Sequence, residues 1–176
     1  MKKSLPGLTL VLGGASSGKS AFAEALVTAT GRPKHYVATA QAFDAEMTSK
    51  IAAHKAARGP DWTTHEAPLD VRQALRAPET GEIMLLDCAT LWLSNQLLAE
   101  NDLAEASETL LAAISDCPCS LVVVSNEVGQ GVVPEYQLGR RFRSAQGRLN
   151  QALAARAGLC VFVMAGLPMV LKGNLP

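Results

Sequence analysis

The sequence predicts an α/β domain in which a mainly parallel sheet carries helices on both faces. Three observations point to it. Short continuous apolar runs recur at 8–12, 36–38, 83–87, 120–125 and 160–164, as expected of strands buried on both sides. Stretches with apolar residues at helical spacing alternate with them, at 20–28, 42–57, 68–74, 91–98, 104–117 and 137–157. The first run leads through a glycine-rich turn, G-G-A-S-S-G-K-S, straight into the first helix.

That first junction carries the most chemistry. Gly13, Gly18, Lys19 and Ser20 occupy the fixed positions of G-x-x-x-x-G-K-[ST], between a strand and a helix as the motif requires. Gly13, Gly14 and Gly18 let the backbone turn and bring several N–H groups onto phosphate oxygens. The helix N-terminus adds partial positive charge. Lys19 can reach terminal phosphates, and the Ser20 hydroxyl can hold Mg²⁺. The reading is a single P-loop NTPase domain over residues 1–176 that binds a nucleoside triphosphate.

The second strand, 36–38, follows His35. The helix over 42–57 brings His54 beside Lys55 and Arg58, two cations that suit an anionic substrate. An imidazole nitrogen is a competent nucleophile toward phosphorus, so His54 is a candidate catalytic residue. His65, beside Glu66 in a polar stretch, reads as structural, as does His35. The strand 83–87, I-M-L-L-D, ends on Asp87, a Walker-B position that places a carboxylate near Mg²⁺. Trp62 and Trp92 read as packing residues. The strand 120–125 runs into Asn126-Glu127 and a loop with Gly129, Gly131 and Pro134, at the strand end where open α/β sheets place ligands. Arg140, Arg141, Arg143 and Arg148 on the last helix read as a solvated face.

Composition narrows the class further. Of 176 residues, 48% are hydrophobic and 18% charged, a globular profile. With 16 basic and 16 acidic residues there is no net charge to favour nucleic acid or a membrane surface. Met1-Lys2-Lys3 precedes an apolar run too short for a signal peptide, and the apolar run 160–171 is broken by Gly166 and Pro168. A cytoplasmic protein without a membrane span is the expectation. Cys88 and Cys160 lie in apolar runs and read as inert thiols. Cys117-Pro118-Cys119 reads as a loop before a strand, with no function.

Several separated segments then converge. They are G-G-A-S-S-G-K-S at 13–20, Y-V-A-T-A at 36–40, D-A-E-M at 44–47, H-K-A-A-R-G-P-D-W at 54–62 and L-L-D-C-A-T at 85–90. S-N-E-V-G-Q-G-V-V-P-E at 125–135 and F-R-S-A-Q-G-R-L-N-Q at 142–151 continue the series. In this order they resemble the bifunctional adenosylcobinamide kinase / adenosylcobinamide-phosphate guanylyltransferase family of cobalamin biosynthesis. The resemblance implies a RecA-like fold and a homotrimer. It implies phosphorylation of adenosylcobinamide with ATP or GTP, then GMP transfer from GTP to adenosylcobinamide phosphate. His54 would be the residue guanylylated. Gly13, Gly14, Ala15, Ser16, Ser17, Gly18, Lys19, Ser20, Ala38, Thr39, Ala40, Lys55, Ala56, Ala57, Arg58, Glu66 and Asp87 would contact the nucleotide, with Ser20 and Asp87 toward Mg²⁺. Glu66 is a candidate acceptor for the guanine edge.

The chain departs from the family pattern in places. Ala53-His54 stands where some members have two histidines, Asp87 where some have Glu, and Ser16 where Arg is common. Two other readings stay open on the residues alone: a simple small-molecule P-loop kinase, and a non-catalytic RecA-like nucleotide-binding subunit.

Overall fold

Alternate residues of the central strands face two different cores, which makes this sheet the middle layer of the molecule. The computed structural model describes residues 4–41 and 59–176. In chain order the elements are β1 (Leu8–Gly13), α1 (Lys19–Thr28), β2 (Lys34–Ala38), β3 (Trp62–Glu66), α2 (Arg72–Arg76) and β4 (Ile83–Asp87). They continue with α3 (Ala89–Leu98), α4 (Leu103–Ser115), β5 (Ser120–Asn126), α5 (Gln137–Arg156), β6 (Leu159–Met164) and β7 (Leu167–Lys172). The helix expected over 42–57, and His54 with it, lies outside the described residues.

The strands form one sheet in the order β3-β2-β4-β5-β1-β6-β7. Neighbours among β1 to β6 pair in parallel, and β7 returns antiparallel to β6. Leu10, Leu12, Met84, Leu86, Leu121 and Val123 face α2, α3, α4 and α5. Val11, Ile83, Leu85, Val122, Val124 and Val161 face α1. Burial on both sides explains why these strands read as continuous apolar runs. Helices on both faces follow, as expected.

Two strands escaped the sequence reading. β3, W-T-T-H-E, is an edge strand with no fully buried residue, so it lacks the apolar run. β7, L-P-M-V-L-K, contains Pro168, which an edge strand tolerates because no further ladder needs its N–H. Ala165 and Gly166, both at positive φ (52° and 77°), make the two-residue turn that joins β6 to β7. α2 begins later than the 68–74 expected, because Asp70 captures the Arg72 N–H at 3.0 Å and its guanidinium at 2.7 Å. α4 starts where Asp102 accepts from the N–H groups of Ala104 and Glu105.

The edge of the sheet is tied by a histidine pair. His35 on β2 hydrogen-bonds Glu82 through Nε2 at 2.8 Å and His65 of β3 through Nδ1 at 3.0 Å. Glu82, held below the usual carboxylate range first by the Glu79 N–H and then by His35, accepts from Nε2. That leaves His35 Nδ1 to accept from His65 Nε2–H. Burial, and then His35, hold the His65 imidazole below its ordinary value of 6.5. The unfolded chain therefore takes up this proton first as pH falls below about 6.5, and folding stability drops in that window. We expect His65→Gln, whose amide can still donate, to remove this part of the loss. Urea midpoints at pH 7.5 and 5.5 for both proteins check it; identical falls would rule it out.

Candidate nucleotide site

The turn after β1 is shaped by close approach. A side chain on Gly13 would run into Ser17 Oγ and the Val163 carbonyl, so only glycine fits. Gly18 caps α1 in the left-handed region at φ 89°, and a Cβ there would lie 3.1 Å from Gly166 of the β6–β7 turn. The Gly166 N–H donates to the Ser17 carbonyl at 2.8 Å, so the hairpin turn braces the loop. Lys19 is buried, and its ammonium donates back to the Gly14 carbonyl at 3.0 Å. The chain thus presents a cation and a helix N-terminus around one turn, an arrangement suited to a polyphosphate.

A cavity of about 320 Å³ opens over this turn. Gly14, Ala15, Ser16 and Ser17 form one wall, Glu127 and Gln130 a second, and Phe162 to Ala165 a third. The Glu127 N–H donates to the Gly13 carbonyl at 3.0 Å, which fixes the end of β5 against the loop. Behind it lies a buried polar network. Ser125 donates to Asn150 at 2.7 Å, and Gln146 donates to Ser125 at 2.9 Å. Asn150 donates to the Asn126 carbonyl at 3.0 Å, and the Asn126 N–H donates to Thr90 at 2.7 Å. α3 and α5 therefore set the position of 126–127. Glu127 and Gln130 were not among the expected site residues, although the strand-end position of Asn126-Glu127 was the available signal. A second groove, about 400 Å³ and lined in part by Leu69, Trp92, Gln96 and Leu110, contains none of the loop residues. The smaller cavity is the one walled by residues of the glycine-rich loop, which makes it the candidate nucleotide site.

The other expected residues line the strand ends. Asp87, half-buried at the end of β4, accepts from the Tyr36 hydroxyl at 3.2 Å. Burial pushes the Cys88 thiol up to about 12; Asp87 adds to this and Lys19 opposes it, so both charges act on the one thiol beside β4. Ser20 is half-buried in the first turn of α1. A hydroxyl and a carboxylate are hard oxygen donors that fit Mg²⁺ bound mainly through nucleotide phosphates. Among the described residues no group of three or more His, Cys, Asp or Glu forms a cage for a metal ion.

Ala38 sits level with Asp87 on one side and with Glu66 on the other. Glu66 is exposed at the end of β3. Four strand spacings separate β3 from β1, about 19 Å. A ligand touching both Glu66 and the loop would have to cross β2, β4 and β5. Ala40 is half-buried. Thr39 is fully buried, and its hydroxyl accepts from the Cys88 N–H at 2.9 Å while donating to the Cys88 carbonyl at 2.8 Å. Its own carbonyl accepts from Asn95 at 2.8 Å. The Thr39 side chain thus clamps the β4–α3 junction, directly after Asp87. Thr39→Val keeps the shape and leaves both Cys88 peptide groups without this partner, with an expected cost of about 3 kcal/mol. Urea unfolding checks it; a cost below about 0.5 kcal/mol would contradict the clamp. His54, Lys55, Ala56, Ala57 and Arg58 lie outside the described residues.

Comparison with known proteins gives the fold and the family separately. The structure resembles flagellar accessory protein FlaH from Methanocaldococcus jannaschii, at 12% identity and a TM-score of 0.51, over 96% of this chain and 79% of that one. It resembles an ATPase of the type III secretion system of pathogenic bacteria at 7% identity and a TM-score of 0.57, over 94% of this chain and 57% of that one. These likenesses concern the fold alone, a mainly parallel sheet with helices on both faces. In sequence, the chain is 47% identical to the bifunctional adenosylcobalamin biosynthesis protein CobP of Pseudomonas aeruginosa, over 94% of this chain and 97% of the relative. It is 36% identical to the bifunctional adenosylcobalamin biosynthesis protein CobU of Escherichia coli, over 94% and 99% respectively. The cobinamide kinase / cobinamide phosphate guanyltransferase family model matches residues 9–171. With the phosphate-type loop, the strand-end carboxylate and a match along almost the whole chain in agreement, the chain belongs to that family.

Proposed function

We propose that this chain phosphorylates adenosylcobinamide with ATP or GTP and then transfers GMP from GTP to adenosylcobinamide phosphate, giving adenosylcobinamide-GDP. The observation that carries the reading is the braced loop at 13–20, with its buried Lys19 and with Gly14 to Ser17 walling a cavity, in a chain of this family. The names of the relatives, each a bifunctional cobalamin biosynthesis protein, support two activities rather than one.

In the kinase step the substrate hydroxyl attacks the γ-phosphorus, and the bond to the β–γ bridging oxygen breaks. Lys19 and the loop N–H groups offset charge on the transferred group and the departing diphosphate. Gly13 to Ser20 hold the phosphates, and Ser20 and Asp87 would hold Mg²⁺. When bound, Mg²⁺ neutralises phosphate charge. In the transfer step an imidazole nitrogen of His54 attacks the α-phosphorus of GTP and diphosphate leaves. The substrate phosphate then attacks the His54–GMP adduct and frees the imidazole. Lys55 and Arg58 hold the phosphates of the nucleotide as His54 attacks. Residues 55–58, Ala38 and Ala40 contact the nucleotide, Glu66 accepts from the guanine edge, and the working form is a homotrimer.

The test is incubation of the purified protein with α-³²P-labelled GTP and Mg²⁺, followed by denaturing electrophoresis. The expected result is a label on the protein that acid removes and alkali does not, released as product on adding adenosylcobinamide phosphate. GTP binding without any label would leave a simple kinase. Among the described residues no helix is long and apolar enough to cross a membrane.

A further inference from the structure

The parallel strands carry the phosphate-type loop at one end of the sheet; the other end carries a pair of thiols. Cys117-Pro118-Cys119 forms the connection from α4 to β5. The two sulfurs lie 3.8 Å apart, and neither cysteine is in a disulfide. They differ in setting. Cys117 is half-buried, and Cys119 is 8% exposed. The Cys119 thiol has two acceptors in reach, Cys117 Sγ and the Ser120 carbonyl at 3.5 Å. Hydrogen bonding from the Cys119 thiol, helped by its backbone N–H and opposed by burial, brings the Cys117 thiol down to about 7. Cys119 is pushed the other way, by Cys117 first, then burial and Glu82, with Arg32 opposing. Arg32 reaches this turn through a 3.4 Å hydrogen bond to Ser120 Oγ. On the α4 side Asp116, next to Cys117, lies 3.5 Å from Arg76.

We propose that Cys117 and Cys119 form a thiol–disulfide exchange site for low-molecular-mass disulfides, with Cys117 the attacking sulfur and Cys119 the resolving one. The Cys117 thiolate attacks one sulfur of a disulfide such as glutathione disulfide, and the first glutathione leaves as thiolate. A mixed disulfide remains on Cys117. Cys119 gives its proton to the released thiolate, attacks Cys117 Sγ and expels the second glutathione. Two protein thiols become one disulfide, and one glutathione disulfide becomes two glutathiones. The sulfurs need approach by only about 1.8 Å to reach bonding distance. Arg32 offers its cation to the carboxylates of the incoming tripeptide. Cys88 and Cys160, both buried with thiols pushed up by burial, stay outside this chemistry. The asymmetry meets what exchange demands, a thiolate at the accessible position and a protonated partner in contact with it.

The experiment treats the full chain with glutathione disulfide under native conditions, quenches with acid and maps peptides by mass. Wild type should lose about 2 Da, two hydrogens, in the peptide carrying both residues, without a lasting adduct. Cys119→Ser should trap glutathione on Cys117, and Cys117→Ser should leave Cys119 unreacted. A wild-type protein that keeps a stable adduct, or that reacts equally at Cys88 or Cys160, overturns the proposal. A second readout needs no variant at Cys117. Alkylation of Cys117 at pH 7 should be about threefold faster in wild type than in Cys119→Ala, which removes the donor, since the gain in thiolate fraction is partly offset by lower nucleophilicity. Equal rates overturn the pairing.

Discussion

His54→Ala is expected to abolish the covalent GMP label and to lower guanylyl transfer by at least about a thousandfold, while kinase turnover stays within a few-fold of wild type. The size follows from the proposed role. A nucleophile that forms a covalent intermediate has no substitute once removed, and no second histidine precedes it, because residue 53 is alanine. His35 and His65 are engaged with each other and with Glu82 at the edge of the sheet, which leaves them no part in such an attack. Labelling with α-³²P-GTP reads the first half-reaction, and product formation from adenosylcobinamide phosphate reads both. Full transfer in His54→Ala would end the covalent mechanism without touching the kinase reading.

Lys19→Ala is expected to lower both activities by about a hundredfold to a thousandfold, because one triphosphate site serves both on the proposed reading. Lys19 is buried and bonded to Gly14, so its ammonium is already oriented when a phosphate arrives, and little reorganisation is needed. Lys19→Arg is the control: it keeps the charge but replaces a compact ammonium with a planar fork. A Lys19→Ala protein with normal kinase turnover would show that phosphates bind elsewhere. Should transfer alone survive, the two reactions use separate triphosphate sites.

Much of this molecule was legible in the chain because its cause is local. Strands β1, β4, β5 and β6 are buried on both faces, so their apolar runs announce them. The turn at 13–18 needs glycine at set positions for steric reasons that any sequence must obey. Helix α4 declares its start through Asp102. β3 and β7 stayed hidden because an edge strand buries too little to leave an apolar signature. Gly166 and Pro168, which break the apolar run 160–171, belong to the β6–β7 turn and to the edge strand that follows it.

By itself, then, the sequence determined the α/β class, the phosphate-type loop and the family, since each rests on spacing within a segment or on segments in order. Only the tertiary structure decided what meets across long separations. It set Glu127 against Gly13, the β6–β7 turn under Ser17 and Gly18, and Thr39 around the Cys88 peptide. Those contacts depend on strand order and register, and hydrogen-bond geometry is satisfied only once the sheet has brought the partners to within about 3 Å. Nothing in a linear pattern specifies that distance.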